Sequence, residues 1–318
     1  MNSVRRTILA ATAIALVAGP ALAKGPAIKS INWDSVPAAK VTLFYPGQTS
    51  MEWILTGTDH GGVRAFKKGD RCFECHSEEA ADMGAKMVSG KKAEAAPIPG
   101  KRPAFPFSVK AAYDADNLYM RFEFPAAPRG ASPKQDAENE MKLAMMIDQG
   151  KVDMAARAGC WVTCHSDARD MPTAPAGKQV TKYVPESRTQ FDIAKRDNWD
   201  KLKPAAELDA LLKSGTTLDL VRFKSSGAAE QGYVLAERVL KPATDVTFAG
   251  EKKGDTWVVT MARKLKASAP GEVTLEAGKA YTVGFAVHDD FATGRFHHVS
   301  LDMRLGLGTD GEIKAVKQ

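Results

Sequence analysis

Beyond residue 106 the chain alternates between apolar and polar positions. In NLYMRFEF, residues 117–124, Leu118, Met120, Phe122 and Phe124 take one side, and Tyr119, Arg121 and Glu123 take the other. The turn-forming run Asp114, Ala115, Asp116, Asn117 leads into them. Successive side chains of a strand point to opposite faces, so this period of two predicts a strand with one face buried. DTWVVTMARKL (255–265), AYTVGFAV (280–287) and GRFHHVSLDMRLGLG (294–308) repeat the pattern. In the last of these, His297, Val299, Leu301, Met303 and Leu305 share the apolar side, against Phe296, His298, Ser300 and Asp302. His288 closes the strand VGFAVHDD on its small-residue side.

Elsewhere the pattern is shorter or broken. VTLFY (41–45) and MEWIL (51–55) predict two brief strands, and SGKKAEAAPIPGKRPAFPF (89–107), rich in Pro, Gly, Lys and Ala, predicts a linker. Residues 160–215 interrupt the strands with a Pro-bearing loop and a helix over AAELDALLK, 205–213. Several alternating strands separated by Gly and Asp turns predict a mainly β chain, a β-sandwich with a loop and helix insertion. The organisation that follows is a leader over residues 1–23, a small N-terminal segment over 24–105 and the sandwich over 106–318. No fixed-period repeat is present.

The leader changes the chemistry to be expected. MNSVRRTILAATAIALVAGPALA places Arg5 and Arg6 before an apolar run from Ile8 to Val17, then ends on Ala21-Leu22-Ala23, a small-x-small cleavage pattern. It predicts a signal peptide and export to the periplasm. The run is short for a bilayer span and Gly19-Pro20 follows it, and no later segment approaches 18 continuous apolar residues. No stable membrane insertion is expected after cleavage. Cleavage removes two of the 44 basic residues, leaving 42 against 38 acidic ones and a net charge of +4. That balance is too mild to argue for a nucleic-acid partner.

Four cysteines in an exported chain suggest two disulfides, but their neighbours suggest otherwise. In RCFECHSEE, Cys72, Cys75 and His76 form the C-x-x-C-H pattern of covalent c-type haem attachment. Two thiols on one helical turn reach the two vinyl groups on one edge of the porphyrin, and the next residue, the histidine, projects under the ring as proximal ligand. In GCWVTCH, Cys160, Cys164 and His165 repeat the arrangement with one more residue between the thiols, which a looser turn absorbs. Both clusters together use all four cysteines and predict two covalently bound haem c groups. A four-cysteine zinc site gives no reason for a histidine after each second cysteine, and a redox C-x-x-C needs only one pair.

With His76 and His165 as proximal ligands, four of the six histidines remain for the sixth positions: His60, His288, His297 and His298. His60 precedes His76 by sixteen residues, beside a Gly61-Gly62 pair that permits close backbone approach. Met83 and Met87 compete with it after the first motif, and Met145 and Met146 compete for the second haem. His297, on the apolar side of its predicted strand, leads for the second haem, with His298 and His288 behind.

These stretches carry a resemblance. FSVKAAYDADNLYMRFEF, GCWVTCHSD, WVVTMARKL and the closing FAVHDD, RFHHVSL and LGLG together resemble the haem-binding domain shared by cytochrome c-552 type proteins and the haem subunit of ethylbenzene dehydrogenase and related molybdoenzymes. The earlier YPGQTSMEWILTGTDHGGVRAFKKGDRCFECH is similar to the N-terminal part of dihaem members. The resemblance implies a carbohydrate-module-like β-sandwich with haem near one end, and periplasmic electron transfer. In the molybdoenzyme subunits the haem is non-covalent, with Met and Lys ligands. Cys160, Cys164 and His165 depart from that, so those ligands do not carry over, whereas a distal ligand from the last strands, His297 or His298, stays compatible.

The expected function is that of a dihaem c-type cytochrome passing single electrons between redox proteins, either a membrane quinol-linked cytochrome or a periplasmic oxidoreductase. The alternative is a haem enzyme or sensor with one open coordination site for nitrite, peroxide or a similar small ligand.

Overall fold

The computed structural model describes residues 25–56, 60–128, 136, 138–163, 182–191, 201–289 and 297–318. The predicted leader, Cys164 and His165 lie outside the described residues, as does the side chain of Cys160. Among the described residues the first strand is β1 (Ala38–Phe44), followed by four short helices: α1 (Met51–Thr56), α2 (Val63–Lys68), α3 (Cys72–His76) and α4 (Ala80–Val88). β2 (Ala104–Tyr113), β3 (Asn117–Pro125) and β4 (Lys142–Asp148) follow, then α5 (Ala155–Thr163) and α6 (Ala205–Ser214). The remainder is β5 (Leu218–Lys224), β6 (Ala229–Val234), β7 (Arg238–Pro242), β8 (Val246–Lys253), β9 (Thr256–Lys264), β10 (Ala280–His288), β11 (His298–Val299), β12 (Met303–Leu307) and β13 (Ile313–Lys317). The fold is mainly β.

Six strands close on themselves in the order β10, β11, β1, β2, β13, β12 and back to β10. The closure needs the two parallel pairings of β13, with β12 and with β2. Two antiparallel wings extend from this ring, β4-β5-β6-β7 from β10 and β3-β9-β8 from β2. They face each other. Phe285 of β10 packs 5.4 Å from Phe107 of β2 and 5.8 Å from Phe122 of β3, and Phe223 of β5 stacks on Phe248 of β8 at 5.5 Å. The Arg263 guanidinium of β9 crosses the gap to the buried carboxylate of Asp219 on β5. The two facing layers make a β-sandwich. Leu118, Met120, Phe122 and Phe124, the side read from the period of two, all lie in its core.

Three departures from the sequence reading are informative. MEWIL is the helix α1, not a strand: the Ser50 hydroxyl accepts the Trp53 backbone N–H at 3.2 Å as an N-cap, and Met51 and Ile54, three residues apart, are buried on one side. The segment after His297 is two short strands, and His297 through Met303 are buried on both sides because helices cover the outer face. The Pro- and Gly-rich stretch 89–107 is packed against the body: Tyr45 donates to the buried carboxylate of Glu94 at 2.6 Å, and the last four residues begin β2. The helix read at 205–213 is α6.

A second, smaller apolar core lies between the helices and the outer face of the sheet, built from Phe44, Met51, Ile54, Phe66, Trp161 and Leu301 with their neighbours. It holds α3, which carries the first cysteine motif, and α5, which carries Cys160, against the ring of strands. Among the described residues no helix is long and apolar enough to cross a membrane.

Candidate functional site

α3 is only five residues long, too short to be stable alone, and its first N–H groups need acceptors. Arg71 occupies the N-cap position but its side chain cannot accept a hydrogen bond. The missing acceptor comes from the far end of the chain. The Asp302 carboxylate, fully buried, accepts the Phe73 backbone N–H at 3.1 Å and the Arg71 Nε–H at 2.7 Å. Arg71 also donates to Glu312 at 2.9 Å, and the Glu74 carboxylate accepts the Arg71 backbone N–H at 3.0 Å. Burial raises the pKa of Asp302 and the Arg71 guanidinium pulls against it.

Asp302 also touches the second motif. Gly159 interrupts α5 immediately before Cys160 with φ of 65°, and a Cβ there would meet the Asp302 N and Cα at 3.1 Å. Only glycine combines that left-handed backbone with so close an approach. Arg304 donates to the Ala156 carbonyl at 2.9 Å, so one C-terminal segment buttresses both cysteine-bearing helices.

The structure brings His60 and His76 together. Their ring centroids are 6.0 Å apart with planes 42° apart. Two imidazoles bound on opposite sides of one metal ion, at a bond of about 2 Å each, have centroids about 6 Å apart. His60 Nδ1 lies 3.3 Å from the Ile54 carbonyl and His76 Nδ1 lies 3.2 Å from the Glu79 carboxylate. With the proton on Nδ1 in each, both rings donate to a backbone or carboxylate oxygen and keep the Nε2 lone pair for a metal, the usual second partner of a ligating histidine. Burial holds the His60 pKa below its ordinary value, against the Ile54 contact that raises it, which favours the neutral, ligating form. Gly62 matters here in a different way from the sequence reading: a Cβ on it would meet Cε1 of His60 at 2.9 Å, so its bareness makes room for the imidazole.

A cavity of about 140 Å³ lies beside this pair, lined by Trp53, Cys72, Met83, Met87 and Trp161 as well as the two histidines. Cys72 is half-buried and Cys75 is exposed. Burial, with Asp302 and Cys75 adding to it, pushes the Cys72 thiol up to about 12. The apolar walls, the paired imidazoles and the two thiols on one turn fit a haem, which Cys72, Cys75, His76 and His60 would hold.

The other histidines divide. His298 is fully buried with its Nε2 2.9 Å from the Arg102 carbonyl and its ring 4.8 Å from that of Phe105, the situation of a core histidine. His288 and His297 stack at 4.5 Å with planes 23° apart and line a second cavity, of about 60 Å³, together with Met146 and Trp161. That spacing is too short for the two to bind one iron from opposite sides. Burial, with His297 alongside, holds the His288 imidazole well below its ordinary value, and its Nδ1 has no hydrogen-bond partner among the described residues. Met145 points instead into the sandwich core, which separates it from Met146. Sequence reasoning missed Trp161, Asp302 and Arg71. Trp161 was in view between Cys160 and Cys164, whereas nothing local marks Asp302.

A family model described as ethylbenzene dehydrogenase matches residues 30–244 and 221–300. Over 322 aligned residues the chain is 45% identical to cytochrome c-552 of Stutzerimonas stutzeri, covering 99% of this chain and 100% of that one. It is 35% identical to cytochrome c-551 of Rhodocyclus tenuis over 289 residues, 90% of this chain and 99% of that one. The chain belongs to this cytochrome c family. Membership agrees with the resemblance read from the cysteine motifs and the alternating strands. Among solved structures, a family 9 carbohydrate binding module from Caldicellulosiruptor kristjanssonii is similar at a TM-score of 0.30 and 10% identity, over 67% of this chain and 76% of that one. The sandwich described above rests on its own strand pairing.

Proposed function

We infer that the chain is a periplasmic dihaem c-type cytochrome that passes single electrons between redox proteins. The observation that carries the reading is the His60–His76 pair, 6.0 Å apart with each Nδ1 engaged. When bound, haem iron supplies a one-electron couple between ferric and ferrous states. The first site belongs to residues 24–105 and uses Cys72, Cys75, His76 and His60. The second belongs to residues 106–318 and uses Cys160, Cys164, His165 and one imidazole of the stacked pair, His297, with His288 lying against it. Residues 1–23 direct export. The relatives' names support a cytochrome c role, and two imidazoles holding one haem iron would leave it no open position, which favours a carrier over a catalyst. The redox partners of this reading are a membrane quinol-linked cytochrome or a periplasmic oxidoreductase.

Electron paramagnetic resonance on the oxidised protein tests the reading. Two low-spin ferric centres are expected. A high-spin centre that changes on adding nitrite or peroxide would instead assign the chain to the ligand-binding enzymes or sensors.

A further inference from the structure

Trp161 stands where the two cavities meet. Its indole lines both the void beside His60 and His76 and the void beside His288 and His297. It follows Cys160 on α5, a helix packed against α3 and against β10, the strand that carries His288. The side chain is 4% exposed and sits edge-on to Phe44 at 5.5 Å. Its one hydrogen-bond donor, Nε1–H, is buried with no acceptor among the described residues. Native structures seldom leave a buried donor unmatched unless a water or a bound group supplies the acceptor.

We propose that Trp161 is the common wall of two haem sites, so that the oxidation state of each is registered at a single indole. This rests on the two-haem reading above. Each iron changes its charge by one and its magnetism on reduction, and an indole in contact with both sites senses both changes. Met83 lines only the first cavity and Leu220 only the second. Each of them senses one. The unmatched indole N–H is then a donor for an anionic oxygen carried by a group in either cavity.

The test uses the full exported protein with its tryptophans labelled by nitrogen-15. Five indole N–H signals are expected, and W161F assigns the relevant one. During a stepwise reductive titration the Trp161 signal should move at both reduction steps, whereas Trp33, which lines neither cavity, should move at neither. Movement of the Trp161 signal at one step alone, or at none, would overturn the shared wall. In W161F, which keeps an aromatic ring at the site, both midpoint potentials should shift, and in Met83→Leu only one should. A W161F shift confined to one centre would likewise overturn it. Intact mass of the same sample separates the two claims: two attached haems with a single-step Trp161 response sinks only this inference, while one haem in the unmodified chain sinks the two-site reading and this inference with it.

Discussion

Asp302 accepts the backbone N–H of Phe73 at 3.1 Å, although 229 residues separate the two. A carboxylate from the last strands thus caps the helix that bears the first cysteine motif. The same carboxylate binds Arg71, and both side chains are largely shielded from solvent. Replacing Asp302 by Ala leaves the Arg71 charge and the Phe73 N–H without that acceptor. Because Arg71 keeps its Glu312 contacts, the loss is that of hydrogen bonds to a charged acceptor, about 1–3 kcal/mol. Urea unfolding of D302A should show a loss of roughly that size, with a perturbed absorption at the first centre. An unchanged unfolding midpoint would remove Asp302 from its capping role.

H60A should convert one of two low-spin centres to high spin and leave the other intact, read by electron paramagnetic resonance. The pH response follows from burial, which holds the His60 pKa below its ordinary 6.5. A histidine depressed in the folded state contributes stability that is present above its unfolded pKa and is lost as pH falls through the folded one. In the haem-free chain His60 should therefore stay neutral as pH falls through 6.5 and take up its proton only below it, read from the pH dependence of its ring resonances. A change centred above 6.5 would contradict the assignment.

The two thiols of the first motif should differ before haem is attached. In the folded, haem-free chain Cys72 is half-buried with its thiol pushed from 9.0 to about 12, while Cys75 is exposed. Three pKa units lower the Cys72 thiolate fraction about 1000-fold at a given pH, and thiolate is the reactive form. Timed alkylation followed by peptide mass spectrometry should label Cys75 well ahead of Cys72. Equal rates would mean that α3 is not packed on the sheet as described.

Away from both cavities, the buried Arg263–Asp219 pair joins the two wings of the sandwich, and Asp219 also accepts the Val273 backbone N–H at 2.7 Å. D219A should lower the unfolding free energy by about 3–5 kcal/mol because it strands a buried guanidinium. Asp219→Leu combined with Arg263→Met should recover most of that loss. Haem absorption should be unchanged in either variant, since neither residue lines the cavity beside His60 and His76 or the one beside His288 and His297.

Local rules made the sandwich strands and the cysteine motifs legible. The alternation at Leu118 to Phe124 is a property of consecutive residues, and the Cys72–His76 spacing is fixed by one helical turn. MEWIL reads as a strand because Met51, Trp53 and Leu55 alternate, whereas the Ser50 cap that starts a helix there shows only in the structure. The ligand partners depend on contacts between distant segments. His60 could be nominated from its neighbours, but ranking His288 against His298 required knowing that one ring faces a cavity and the other meets the Arg102 carbonyl. Asp302 sat on the polar side of its stretch, where a buried carboxylate answering a helix across the fold has no signature in sequence.

The most direct measurement is the intact mass of the exported protein, with reduced and oxidised absorption spectra taken on the same material. A chain beginning at Lys24 and heavier by two haem groups, with no free thiol, is the predicted result. A colourless protein of bare polypeptide mass, with its cysteines joined to one another or holding zinc, would contradict it.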